Sequence, residues 1–177
     1  MKIIIFKLLT IIMAFGELSI SAATSAEPGE IATNKIIGTT SDMAKHMTTY
    51  VFRLQPNQDL KKELKNFVES HSLRAGVMLT VVGSLSAINL RMAGGKECLN
   101  MSGDFEILSL TGTLSTDGNH LHLTVSDHTG KTLGGHLMDG CIVRTTAEIA
   151  ILSIEDLSFK REKDDKTGYD ELVIKYG

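Results

Sequence analysis

Three histidines carry the chemistry this chain can be read to offer. His120 and His122 stand two apart in His120-Leu121-His122, and His136 follows Gly134-Gly135. Side chains along a strand alternate faces, so His120 and His122 point one way while Leu121 and Leu123 point the other. Two imidazoles on one strand face can share a metal, and a third can come from the return strand. The turn decides whether it does. If the loop is His128-Thr129-Gly130, with Gly130 in the left-handed position, then Asp127 faces Lys131 and His122 falls opposite His136. Directly opposed residues share a face, so all three rings converge. A two- or four-residue loop slips the register by one and turns His136 away unless a bulge corrects it. Gly134 and Gly135 also let another chain segment or a ligand approach the backbone closely.

Three neutral imidazoles plus an open position form the ligand set of a catalytic-type zinc site. Nickel, iron or copper accept the same donors. The competing reading is a set of polar histidines on a half-buried face, satisfied by hydrogen bonds. For a metal-dependent reaction, Glu148 is the candidate general base, and Arg144 or Arg91 the candidate anion holder. Arg144, Thr146 and Glu148 share one strand face, so an Arg144–Glu148 ion pair competes with that role. Other motifs fail. Thr129-Gly130-Lys131-Thr132 resembles the end of a P-loop, but Val125 stands where the first glycine is required. Ser126, Asp127 and His128 are adjacent in a turn, which is not triad geometry.

The elements that must position these residues can be read from periodicity. Thr49 to Leu54 is a β-branched and aromatic strand. Asp59 is a helix N-cap. Leu60, Leu64, Phe67, Val68 and His71 fall on one helical face, with Lys61, Lys62, Lys65 and Glu69 on the other. Ala75 to Val82 reads as a buried strand, with Ala87 to Met92 as its hairpin partner across Ser84-Leu85-Ser86. Phe105 to Thr113 is a strand, and Asp117-Gly118 signals a hairpin. His120 to Ser126 and Thr132 to Leu137 follow. Ile142 to Ile154 is long and β-branched. Glu155 to Lys166 is charged and loop-like, and Tyr169 to Lys175 is a last strand. One main helix and about seven strands joined by short turns predict an α+β domain with a largely antiparallel sheet.

The chain has 177 residues, 42% hydrophobic and 22% charged, enough for one domain with a core. Its formal net charge of −3 lacks the basic excess of a phosphate-gripping protein, so nucleic acid is not an expected partner. Lys2 and Lys7 flank the apolar run Ile3 to Phe15, and small residues follow from Ser19 to Ala26. This pattern predicts a signal peptide over 1–26, a flexible lead-in over 27–47 and a domain over 48–177. Export to a periplasmic or extracellular location follows. A start at Met43 or Met47 would instead give a cytoplasmic domain. No membrane span is expected after signal removal, because the apolar run is shorter than the roughly 20 residues a spanning helix needs. An exported chain could pair Cys98 with Cys141, but their spacing gives no geometric warrant for a bond.

The chain from about Thr48 to Lys175 resembles the PPC domain (plants and prokaryotes conserved) in its prokaryotic single-domain form. The matching segments are Gln58-Asp59-Leu60, Val82-Gly83-Ser84-Leu85-Ser86, the run from Gly103 to Gly112, His120-Leu121-His122, Gly134-Gly135-His136-Leu137, and Gly140-Cys141 leading into Thr145-Thr146-Ala147-Glu148. The resemblance implies an antiparallel sheet packed with a helix, and a homotrimer. It also implies a bound metal, which some prokaryotic members carry at positions matching His120, His122 and His136; the donor set makes zinc the expected divalent ion. Plant members use the Phe-Glu-Ile-Leu segment in partner contacts but carry Arg where this chain has Asp104. They bind DNA through a separate AT-hook with a Gly-Arg-Pro core. Here the two prolines, Pro28 and Pro56, follow Glu27 and Gln55, so there is no hook. A trimeric metal protein that acts as a hydrolase or lyase, a small-molecule binding module, and a DNA-binding regulator are the function classes the sequence leaves. A gel shift separates the last from the others.

Overall fold

The computed structural model describes residues 46–176. The expected signal peptide, and residues 27–45 of the expected lead-in, lie outside the described residues. Nine elements follow in the order β1 (Met47–Leu54), α1 (Leu60–Ser70), β2 (Gly76–Arg91), β3 (Cys98–Leu114), β4 (His120–Asp127), β5 (Thr132–Leu137), β6 (Ile142–Ile154), β7 (Leu157–Lys163) and β8 (Asp170–Tyr176). The α+β class with an antiparallel sheet is as expected.

Six strands form one sheet in the order β1-β6-β2-β3-β4-β5. The end of β2 pairs again with β5, through Leu90 with Leu137 and Arg91 with His136. That second pairing closes β2, β3, β4 and β5 into a ring. Side chains on the inner face fill it: Leu90, Leu123, Val125 and Leu137 are fully buried. Strands β7 and β8 form a separate two-stranded sheet. Leu157 and Phe159 of this hairpin pack with Ala75, Val77 and Ile154 in a small second core.

Helix α1 covers the main core with Leu60, Leu64 and Val68, a spacing of four that keeps them on one face. Asp59 caps it, accepting from the N–H groups of Lys61 and Lys62 at 3.1 and 3.3 Å. Its other carboxylate oxygen accepts from the Gly140 N–H at 2.8 Å, which ties the helix start to the β5–β6 connection.

Three readings need correction. Ser84-Leu85-Ser86 is not a turn: β2 runs unbroken for 16 residues, with a register shift between Leu85 and Ala87. The serines are satisfied inside the sheet, Ser84 Oγ by Thr145 Oγ1 at 2.7 Å and Ser86 Oγ by the Ile142 carbonyl at 3.4 Å. The first half of β2 is not wholly buried either, since Leu79 and Val82 are exposed. Glu155 to Lys166 contains β7, so the described residues hold eight strands. Its charges lie on a strand with one buried edge, Leu157 and Phe159, rather than on a loop.

Candidate metal centre

The turn after β4 sets the geometry. Asp127 N–H donates to the Lys131 carbonyl at 3.0 Å, and Gly130 N–H to the Asp127 carbonyl at 2.9 Å. The Asp127 carboxylate accepts from the N–H groups of Thr129 and Lys131 at 2.8 and 3.0 Å. Gly130 has φ +84°, the left-handed conformation glycine adopts without steric cost. The resulting register places His122 directly opposite His136. On the other side of β4, His122 pairs with Thr111 and His120 with Thr113 of β3. A continuous row, Thr111, His122, His136 and Arg91, therefore crosses four strands on the outer face.

Two glycines make this row possible. A Cβ on Gly112 would stand 1.9 Å from the His120 carbonyl oxygen, and one on Gly135 would stand 2.8 Å from the Arg91 carbonyl oxygen. The segment that approaches Gly135 is thus β2 itself, closing the ring beside His136.

The three imidazoles converge. One ring nitrogen from each lies within 4.8 Å of the others. The Nε2 atoms of His120 and His122 are 3.2 Å apart. Tetrahedral zinc, with bonds of about 2.0–2.1 Å, separates its nitrogen ligands by roughly 3.3 Å. The His120–His122 pair already has that spacing, and a His136 ring nitrogen lies within 4.8 Å of both. The buried Nδ1 of His136 has no hydrogen-bond partner among the described residues. A buried imidazole nitrogen without a partner is costly, and this one belongs to the third ring of the cluster. Burial pushes the His136 ring down to about 4, with the Arg91 guanidinium adding to the effect. Burial also lowers His120, followed by the charge of His122. Both rings are therefore neutral at pH 7, the form that binds metal. The residues present fit a divalent ion.

A cavity of about 900 Å³ opens over the triad, walled by the loop after β2, the β3–β4 turn and the β7–β8 hairpin. Arg91, one of the two candidate anion holders, lines it. Arg144 and Glu148 do not line it. Arg144 pairs with Asp104 at 3.1 Å rather than with Glu148. Glu148 is exposed, in register with Arg53 of β1 and Val82 of β2. Reading along the sequence missed Arg161, Tyr169 and Glu171, which all line the cavity. Alternating burial of Leu157 and Phe159 was the one available sign that a strand carries Arg161 there. Nothing local links that strand to the histidines.

The remaining reactive groups sit elsewhere. Cys98 is exposed and Cys141 buried, and both are free. The Cys141 thiol, pushed up to about 11 by burial, donates to the Asn89 carbonyl. His71 ends the helix, its Nδ1 bonded to the Phe67 carbonyl at 2.9 Å. No helix among the described residues is long and apolar enough to cross a membrane.

The fold and site define a class: small antiparallel domains in which a ring of strands carries a histidine cluster on its outer face. The chain belongs to the Plants and Prokaryotes Conserved (PCC) domain family, whose model matches residues 41–155. It is 48% identical over 128 residues to a protein of Synechococcus sp. (strain JA-3-3Ab) named Bifunctional protein GlmU, covering 72% of this chain but 21% of that one. The chain thus spans about a fifth of the length of the curated relatives it matches. Among solved structures, it resembles a hypothetical protein from Salmonella cholerae-suis at 44% identity and TM-score 0.73, covering 74% of this chain and 95% of that one. It also resembles the metal-containing protein AF0104 from Archaeoglobus fulgidus, at 21% identity and TM-score 0.62, covering 71% and 93%. A further structural neighbour, from Bacteroides thetaiotaomicron, is provisionally called a DNA-binding protein; at 20% identity, TM-score 0.62 and coverage of 72% and 91%, it shows the fold alone. That name lends no support to the expectation that nucleic acid is not a partner.

Proposed function

We propose that this protein binds a divalent metal ion, zinc first, through His120, His122 and His136, and presents it to a small-molecule ligand in the cavity above. The observation that carries this reading is the convergence of three ring nitrogens within 4.8 Å on one strand surface. The unpartnered Nδ1 of His136 supports it. An ion held by three neutral imidazoles would supply Lewis acidity at an open position. The chain's own residues hold the rings in register and wall the cavity.

The reading includes a homotrimer. Val51, Leu79, Val82 and Leu108 are 77%, 52%, 59% and 53% exposed on β1, β2 and β3, and exposed apolar side chains in such numbers suit an interface between copies. Sedimentation equilibrium of the wild type and of Val82→Asp tests it; a monomeric wild type sinks the trimer. Export, supported by the pattern of Lys2, Lys7 and Ile3 to Phe15, is tested by N-terminal sequencing of protein recovered outside the cytoplasm.

The deciding experiment for the metal is metal content per chain, measured on wild type and His122→Ala after exposure to zinc. Near-stoichiometric zinc in the wild type and its loss in the variant are expected. Zinc absent from both would reduce the histidines to structural residues.

A further inference from the structure

The guanidinium of Arg91 is the cation in the cavity that lacks a counterpart. Arg91 is half-buried and directly opposite His136. Its guanidinium makes no hydrogen bond or ion pair among the described residues. A cation taken partly out of water without an anion is costly, and protein carboxylates normally supply that anion. Here they do not. Asp117 is engaged by the Arg161 N–H at 2.7 Å and by Lys160 at 3.3 Å. Asp170 and Glu171 line the wall formed by β8. The second guanidinium in the cavity, Arg161, is already directed to Thr113 Oγ1 at 2.6 Å.

The surroundings of Arg91 are shaped to leave its fork open. Gly95, with φ +74°, lies beside it: a Cβ there would stand 3.5 Å from Arg91 Nη1 and 3.4 Å from the Tyr169 hydroxyl. A methyl there would reach no more than ordinary van der Waals contact with either group. Arg91 and Tyr169 thus flank a gap on the His136 side of the triad, while Glu171 belongs to the hairpin wall.

We propose that the cavity takes a small monocarboxylate carrying a second oxygen next to the carboxyl carbon, such as a 2-hydroxy acid, with its carboxylate on Arg91. The proposal rests on the metal reading above. The guanidinium fork matches a carboxylate in two parallel hydrogen bonds, and the adjacent oxygen is directed to the position beside the three imidazoles. Asp170 and Glu171 disfavour a second carboxylate at the far end by like-charge repulsion.

The test uses the full chain loaded with cobalt(II), whose visible absorption reports changes around the ion, titrated with glycolate and with its neutral amide, glycolamide. Cobalt content is measured for each sample. Glycolate is expected to change the spectrum saturably, and glycolamide to leave it unaltered. Arg91→Gln is expected to weaken glycolate binding about tenfold or more, the usual size of a lost charge-assisted pair, with cobalt content unchanged. Arg91→Lys, which keeps the charge without the fork, is expected to fall between. Cobalt bound normally with no response to glycolate, or with equal affinity in wild type and Arg91→Gln, overturns the proposal and leaves the metal site standing. Failure of the wild type to take up cobalt overturns the metal reading and this proposal together.

Discussion

His122 lies directly opposite His136 because the turn between their strands sets the Asp127 N–H on the Lys131 carbonyl. Side chains change face with each one-residue slip. Inserting a single glycine between Thr129 and Gly130 is therefore expected to abolish zinc binding while far-UV circular dichroism stays close to wild type. Unchanged zinc content in the insertion variant would separate the triad from this register.

Gly112 and Gly130 both have positive φ, yet they should respond differently to alanine. At Gly112 the new Cβ would stand 1.9 Å from the His120 carbonyl, whereas at Gly130 it would meet nothing within 4 Å. Gly130→Ala should cost about 1 kcal/mol, the ordinary price of a left-handed non-glycine residue. Gly112→Ala should cost about 3 kcal/mol or more, because backbone must also move. Urea unfolding of the two variants reads the difference, and equal losses would contradict it.

Without metal, the protein should lose stability as the pH falls from 6.5 toward 4. The His136 ring is held at about 4 in the fold against an ordinary value of 6.5. Between those values the unfolded chain binds a proton that the folded chain refuses, so unfolding gains as pH drops. The loss begins near pH 6.5 and levels off near pH 4 as far as this ring is concerned. Urea midpoints of metal-free wild type and His136→Gln across this range test the sign. The variant should show a shallower slope, and a parallel one would remove His136 as the cause.

Asp59 serves two segments at once. One oxygen caps α1 and the other holds the Gly140 N–H. Replacing it by alanine should cost about 1–2 kcal/mol, at the upper end of a cap loss. Asp59→Asn keeps an acceptor at the cap and should recover much of it. Thermal unfolding of both variants is the check.

The parts of this fold that local pattern determines were legible in the chain. The helical face of Leu60, Leu64 and Val68 requires only periodicity. The opposition of His122 and His136 requires only alternation and a three-residue loop ending in Gly130. The return of β2 onto β5 was hidden, because Leu90 meets Leu137 through a pairing 47 positions apart that no local residue announces. The β7–β8 hairpin was hidden for another reason. Lys160 to Lys163 is polar enough to read as a loop, since only Leu157 and Phe159 are buried on β7. That single omission concealed Arg161 and left the expected strand carrying Tyr169 and Glu171 without its partner, and with them the far wall of the cavity.

That wall lies outside the stretch the family model matches. The family match ends at residue 155, and β7 begins at Leu157. The triad and Arg91 lie inside the matched stretch, whereas Arg161, Tyr169 and Glu171 lie beyond it. The hairpin shares no strand pairing with the six-stranded sheet. The residues proposed to hold the ion and the carboxylate thus sit on the matched sheet, and the far wall of the cavity sits on a strand pair beyond it. Substitutions confined to 157–176 are therefore expected to reshape the proposed ligand cavity while the strand register that aligns the three histidines stays in place.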